Sequence, residues 1–257
     1  MLECGLDVDG PSLALICGSH TGQQLHVDGV RRLLAAAGLD ESSLDNTPSM
    51  PVDSKARRAM TVAGQGPSRI THSCSGKHAG MLATCVAAGW PTAGYREPDH
   101  PLQLRLRDTV SRLTGDVVTA TVVDGCGAPL FAVTLGGLAR GFSSVAVADP
   151  TGDAGRCAAA MRANPELVAG AGHVTTKLML AAPGLIAKDG AEGVYAVAFP
   201  DGTAAAVKVD DGGSRAQLPV LVEALRRCGI TNPAFDELGR VDVLGHGAPV
   251  GEIRPAF

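Results

Sequence analysis

The chain has 257 residues, 45% of them hydrophobic and 19% charged, with a formal net charge of -4. That length suits one large domain with ample chain for a core, and the mix is too apolar for a disordered protein. Aromatics make only 3% and no basic cluster stands out, which argues against a nucleic-acid binder; no run reaches the roughly 20 apolar residues of a membrane helix.

Seven cysteines form an odd count, and the start MLECGLDVDGP has no basic region followed by an apolar stretch. A reduced, cytoplasmic compartment is expected rather than a secreted disulfide scaffold. Met1 to Gly5 reads as the last turn of a helix with a glycine stop, so the chain is expected to start inside a fold. Leu13 to Cys17 is wholly apolar between Pro11 and Gly18 and reads as a strand buried on both faces. After the break GSHTG, the apolar spacing from Leu25 to Ala37 predicts a helix stopped by Gly38. Further helices are expected over 53–64, capped by Asp53, over Lys77 to Trp90, and from about Leu102 to Leu113. Residues 117–124 are rich in β-branched side chains and read as a strand ending in Asp124-Gly125-Cys126-Gly127. Leu130 to Val147 is ambiguous, with helix favoured in its first half, and 155–163 and 173–181 read as helices. GLIAKDG, VYAVAFPDG and TAAAVKVDDG, separated by Asp-Gly turns, predict an antiparallel meander. A helix over Leu218 to Arg227 and a strand near Val241 to Leu244 complete an α/β fold, with a mixed, largely antiparallel sheet packed with helices.

Four short breaks carry side chains suited to chemistry. In Gly18-Ser19-His20-Thr21-Gly22, a serine can be held at the end of a sheet beside backbone N–H groups that stabilise an oxyanion. Ser19 or Thr21 can equally cap the next helix, leaving His20 at the surface. Ser73-Cys74-Ser75-Gly76-Lys77-His78 opens an apolar helix. Cys74 and Lys77 are three apart and face the same way if the turn is helical, so an ammonium can favour the thiolate. The simpler alternative makes Ser73 or Ser75 a cap and Cys74 a small buried hydrophobe. Asp124-Gly125-Cys126-Gly127 is either a close ligand approach or an ordinary Asp-Gly turn. Lys188 ends an apolar run, where partial burial would make it a general base; otherwise it is a strand-end charge. His100 opens a helix at a proline and reads either as a substrate contact or as a helix start. There is no C-x-x-C pair and no H-E-x-x-H, and Cys74 with Cys126 fall short of four zinc ligands.

Taken together, ICGSHTGQQLHVDGVRRLLAAAGLDE, CSGKHAGMLATC, EPDHPLQ, VVDGCGAP, NPELVAGAGHVTTKLM, LIAKDGAEGVYAVAF and VGEIRPAF resemble the thermolabile (type II) asparaginase family over almost the whole chain. The resemblance implies a fold similar to serine β-lactamases and glutaminases, hydrolysis of L-asparagine to aspartate and ammonia, and a homodimer without an organic cofactor. It implies that Ser19 pairs with Lys188 as one catalytic couple. It also implies that Cys74, Lys77 and Cys126 surround a site for zinc with Asp124 beside it, and that His20, Ser75, His78, His100 and Asp124 contact substrate.

The sequence departs from the family pattern in one decisive way. Family members carry a second couple, Ser-x-x-Lys in an R-S-x-x-K-P-x-Q context, upstream of the helix that ends at Gly5. The residues three before each lysine here are Val52, Cys74, Val174, Leu185 and Ala205. Residues 1–257 are therefore expected to form a single asparaginase-like domain lacking its N-terminal strands. The competing reading is a catalytically silent homologue that binds an amino acid or zinc. A smaller departure is His173, where an arginine is more typical.

Overall fold

The computed structural model describes residues 1–257. After a 3-10 turn at Leu2–Cys4, closed by Gly5 in the left-handed region, comes α1 (Gly10–Cys17). This overturns the strand expected over Leu13 to Cys17. Asp9 caps the helix by accepting the Ser12 amide at 2.8 Å, and Pro11 lies in the first turn. Leu13, Ala14, Leu15 and Ile16 are all buried. A helix enclosed on every side has no polar face, so its apolar run carries no period by which to tell it from a strand.

The helices α2 (Gln24–Ala36), α3 (Ser54–Val62), α4 (Ser75–Ala88) and α5 (Pro101–Thr114) follow, close to where their spacing places them. Asp53 caps α3 through the Ala56 amide at 2.7 Å, yet no residue of α3 is buried. The strand expected over 117–124 shrinks to β1 (Thr121–Val123), an exposed hairpin arm paired with β2 (Pro129–Phe131). In the ambiguous segment that follows, the helix α6 (Leu135–Ala146) covers the end of the first half and nearly all of the second, starting where Thr134 caps it through the Gly137 amide. Next come α7 (Asp153–Ala163), α8 (Pro165–Val168) and α9 (Val174–Ala181). The expected meander is present as β3 (Ile186–Asp189), β4 (Val194–Ala198) and β5 (Ala204–Lys208), antiparallel in that order. The chain ends with α10 (Gln217–Arg227), α11 (Pro233–Leu238) and a hairpin of β6 (Val241–Gly245) and β7 (Ala248–Ile253).

The architecture is mixed α/β, but its strands form three small antiparallel sheets rather than one. No helix is long and apolar enough to cross a membrane. Two hydrophobic cores organise the molecule. One joins the three-stranded sheet to α6, α7, α9, α10 and α11, and the other lies among α2, α4, α5 and Cys126. α1 belongs to both: Leu13 and Ala14 enter the first, Leu15 and Ile16 the second. It lies so close to α4 that a β-carbon on Gly76 would meet the Leu15 carbonyl oxygen at 2.7 Å, and one on Gly80 the Ile16 side chain at 2.7 Å. The glycines of CSGKHAG thus let α4 pack against α1.

Candidate active site

α1 ends at Gly18, and the next residues run extended between two neighbouring segments. The Ser19 amide donates to Val168 O at 3.0 Å, the His20 amide to Ser73 O at 2.9 Å and the Thr21 amide to Ala169 O at 2.8 Å. The Gly22 amide donates to His20 Nδ1 at 3.2 Å. Two expectations change here. Ser19 follows a helix rather than a strand, and the amides of residues 19–22 are all engaged, so they cannot serve an oxyanion.

His20 is a brace rather than a surface residue. Because Nδ1 accepts from Gly22, Nε2 carries the proton and donates to Ser75 Oγ at 3.1 Å, and Ser75 in turn donates to Ile70 O at 2.8 Å. The ring stacks on His26 with centroids 4.6 Å apart. His26 accepts the Gln23 amide and donates to Glu166 O at 2.8 Å. Burial, then the neighbouring His26, pushes the His20 pKa down to about 3, so the imidazole is neutral.

Cys74 is the N-cap residue of α4, and its own amide donates to His72 Nδ1 at 3.0 Å. The amides of Gly76 and Lys77, in the first turn, find no acceptor and point out of the positive end of the helix. Facing this end is the Asp124–Gly127 turn. One ligand atom each of Cys74, Asp124 and Cys126 lie within 4.8 Å of one another. Lys77 Nζ is 3.6 Å from Asp124 Oδ2, and the Cys126 thiol is 3.5 Å from the same oxygen. The turn is clamped from outside. Thr47 Oγ1 donates to Gly125 O at 2.9 Å, the Thr47 amide to Cys126 O at 3.3 Å and Arg96 Nη1 to Gly127 O at 3.1 Å. Arg96 is itself held by Asp45, at 2.9 Å from Nε to Oδ2. Gly127 has φ +88, and a β-carbon there would collide with Arg96. Thr47, Arg96 and Asp45 were invisible to motif reasoning, since their partners are distant in sequence and mostly backbone carbonyls.

The cluster is strongly polarised. Hydrogen bonding from Cys126, then from His72, and the Lys77 charge hold the Cys74 thiol far below the ordinary thiol range, while the same pairing pushes Cys126 up. The pairing thus favours a thiolate at Cys74 and a thiol at Cys126. Burial works against the Lys77 ammonium, but Cys74, Cys126 and Asp124 outweigh it and raise its pKa. Lys188, at the end of β3, shows the opposite balance. Burial lowers its pKa, opposed chiefly by Asp189 and, further off, by Cys74 and Asp124. Its Nζ donates to Asp189 O, not to Ser19.

Two thiols, a carboxylate and an amine make a borderline-soft donor set suited to zinc. Zinc–sulfur bonds of about 2.3 Å put tetrahedral sulfurs roughly 3.8 Å apart, a spacing that falls inside the 4.8 Å within which these ligand atoms lie. Lys77 would have to give up its proton to join them.

The structure thus brings together Cys74, Lys77, Asp124 and Cys126, with Lys188 in electrostatic reach and Ser19 joined to the segment before α4 through its neighbour His20. Ser75 serves that brace. His78 and His100 make their hydrogen bonds outside the group. Tyr95 accepts the Asp45 amide and donates to His78 Nδ1 at 2.7 Å, leaving a buried His78 Nε2 without a partner. His100 caps α5, accepting the Leu102 amide at 3.2 Å and donating from Nε2 to Pro91 O at 3.0 Å.

No curated protein matches the chain. A profile of the family described as L-asparaginase II matches residues 1–255, the full span of the turns, clamps and cores above, and the chain belongs to that family.

Proposed function

We propose that the protein hydrolyses the side-chain amide of L-asparagine to aspartate and ammonia, with Ser19 as nucleophile and Lys188 as its base. The observation that carries this reading is the half-buried Lys188, whose amine is biased toward its neutral form and lies in the field of the Cys74–Lys77–Asp124 group. Lys188 turns from Asp189 O to take the Ser19 proton as Oγ attacks the amide carbon, and the proton passes to the leaving ammonia. Water then cleaves the acyl-serine, giving a proton to Lys188, which returns it to Ser19 Oγ as aspartate leaves. The free amides of Gly76 and Lys77 are the available donors for the oxyanion or the substrate carboxylate, in place of the engaged amides of residues 19–22. Cys74, Lys77 and Cys126 would hold zinc beside Asp124, where the ion would supply a fixed positive charge for the amino-acid end of the substrate. No organic cofactor enters these steps. We also infer a homodimer, supported by the exposed apolar residues Val122, Val123 and Leu130 on the β1–β2 hairpin. A cytoplasmic setting is supported by seven free cysteines.

Ammonia and aspartate release from L-asparagine by the purified chain tests the reading. Turnover is expected in the wild type, and Lys188→Ala or Ser19→Ala should lower it by about 10²–10⁴-fold. Asparagine or zinc binding without any turnover would support the silent homologue instead. Full activity in both variants would remove Ser19 and Lys188 from the chemistry.

A further inference from the structure

Two thiols meet at the candidate site from different parts of the fold. Cys74 is the N-cap residue of α4, Cys126 belongs to the turn between β1 and β2, and their sulfurs lie within 4.8 Å of each other. Neither is held by a strong partner, since the Cys126 contact with Asp124 Oδ2 is a weak S–H donation at 3.5 Å. Two adjustments bring the sulfurs toward the roughly 2.05 Å of a disulfide: rotation about each χ1, and a shift of the turn. The turn has room for it at Gly125, where a β-carbon would meet nothing within 4 Å. Cys74 and Cys126 are 8% and 1% exposed, so Cys74 is the one that a small solute meets first. Beside them, Lys77 and Asp124 keep 32% and 27% of their side chains in water, so the cluster borders solvent. The unengaged amides of Gly76 and Lys77 also place the positive end of α4 next to Cys74, where negative charge on sulfur is favoured.

We propose that Cys74 and Cys126 form a reversible disulfide with hydrogen peroxide, and that this oxidation competes with zinc for the same two sulfurs. Cys74 Sγ attacks one peroxide oxygen and the O–O bond breaks. The departing hydroxide takes the Cys74 proton and leaves as water, and a sulfenic acid remains on Cys74. Cys126 Sγ then attacks that sulfur. The S–S bond forms, the S–O bond breaks, and the second hydroxide leaves as water with the Cys126 proton. Two thiols are oxidised by two electrons, and one peroxide is reduced to two waters. A dithiol reverses the reaction by exchange. Zinc binds thiolates, so the oxidised pair leaves it only Asp124 and Lys77. The cluster is thus a metal site when reduced and none when oxidised. The proposal rests on the geometry of the two cysteines and not on the hydrolytic roles of Ser19 and Lys188.

The test exposes the whole chain, stripped of metal with a chelator, to hydrogen peroxide. Remaining thiols are alkylated under denaturing conditions, and the protein is digested with trypsin. Cleavage after Arg69, Lys77, Arg112 and Arg140 releases peptides 70–77 and 113–140, whose only cysteines are Cys74 and Cys126. Mass spectrometry should find these two peptides joined, and separated again by dithiothreitol. Zinc at about 100 times its dissociation constant leaves roughly 1% of the site free, and should slow the link about a hundredfold. Cys126→Ser, its fold checked by circular dichroism, removes the second thiol and should leave a Cys74 sulfenic acid that reacts with dimedone. Peptides 70–77 and 113–140 recovered unlinked from the oxidised wild type, or joined only to other cysteines, overturn the disulfide. A link that forms as fast with zinc present overturns the competition. Asparagine hydrolysis is measured on the same samples. A chain without turnover that still forms the link removes the proposed function and keeps the disulfide.

Discussion

At the scale of single residues, the site holds groups in protonation states that water would not choose, and each has a measurable consequence. A half-buried lysine with lowered proton affinity weakens the fold below its folded-state pKa, because the unfolded chain binds that proton more tightly. Lys188→Met should therefore raise the melting temperature at pH 7 while abolishing hydrolysis, a trade of stability against activity that differential scanning calorimetry and an ammonia assay can separate. His20 works in a lower window. Its folded-state pKa is about 3 against 6.5 unfolded, so the unfolded chain takes up the extra proton between those values. The stability this neutral ring provides is complete above about pH 6.5 and is lost as pH falls toward 3, by up to about 1.4 kcal/mol per pH unit. His20→Gln keeps a donor for Ser75 and should flatten that part of the stability–pH curve measured by urea unfolding. The cysteines, lysines and aspartate of the cluster could be picked out by type and spacing. The clamp on the Asp124–Gly127 turn could not, because Thr47 and Arg96 act on main-chain oxygens that no side-chain pattern marks.

At the scale of elements, caps and glycines decide more than the apolar pattern. α1 is the clearest case: its four central residues read equally as strand or helix, and what settles the matter is Asp9-Gly10-Pro11-Ser12, a cap and a first-turn proline. Thr134 likewise marks the start of α6 at Leu135. Amphipathic elements such as α2 and the β3–β5 meander were legible, since one face is wet and the other dry. The α1–α4 contact gives a sharp prediction. Gly76→Ala gains about 1 kcal/mol of helix propensity but drives a methyl onto the Leu15 carbonyl, and should lose about 1–3 kcal/mol net in chemical denaturation. α3 makes the contrast. It has no buried residue, so Asp53→Ala should fray that helix by about 1 kcal/mol locally. Limited proteolysis would show new cleavage within 54–62 while the global melting temperature barely moves.

At the scale of the whole molecule, the candidate site lies where the two cores meet: the cysteine pair and Lys77 come from one, Lys188 from the edge of the other. A metal that ties Cys74 to Cys126 binds the folded chain and not the unfolded one. Zinc at 100 times its dissociation constant should add about 2.7 kcal/mol, reversed by chelator, and Cys126→Ser should remove most of that increment. A melting curve indifferent to zinc would leave the cluster as an ion pair and nothing more. The position of α1 has a consequence of a different kind. A helix whose sides all belong to one core or the other has no local route to open. Its amides can trade hydrogen for deuterium only when both cores separate together. Residues 13–16 are therefore an internal gauge of global stability, on which the stabilisation brought by any ligand, at whichever end it binds, can be read directly as slowed exchange.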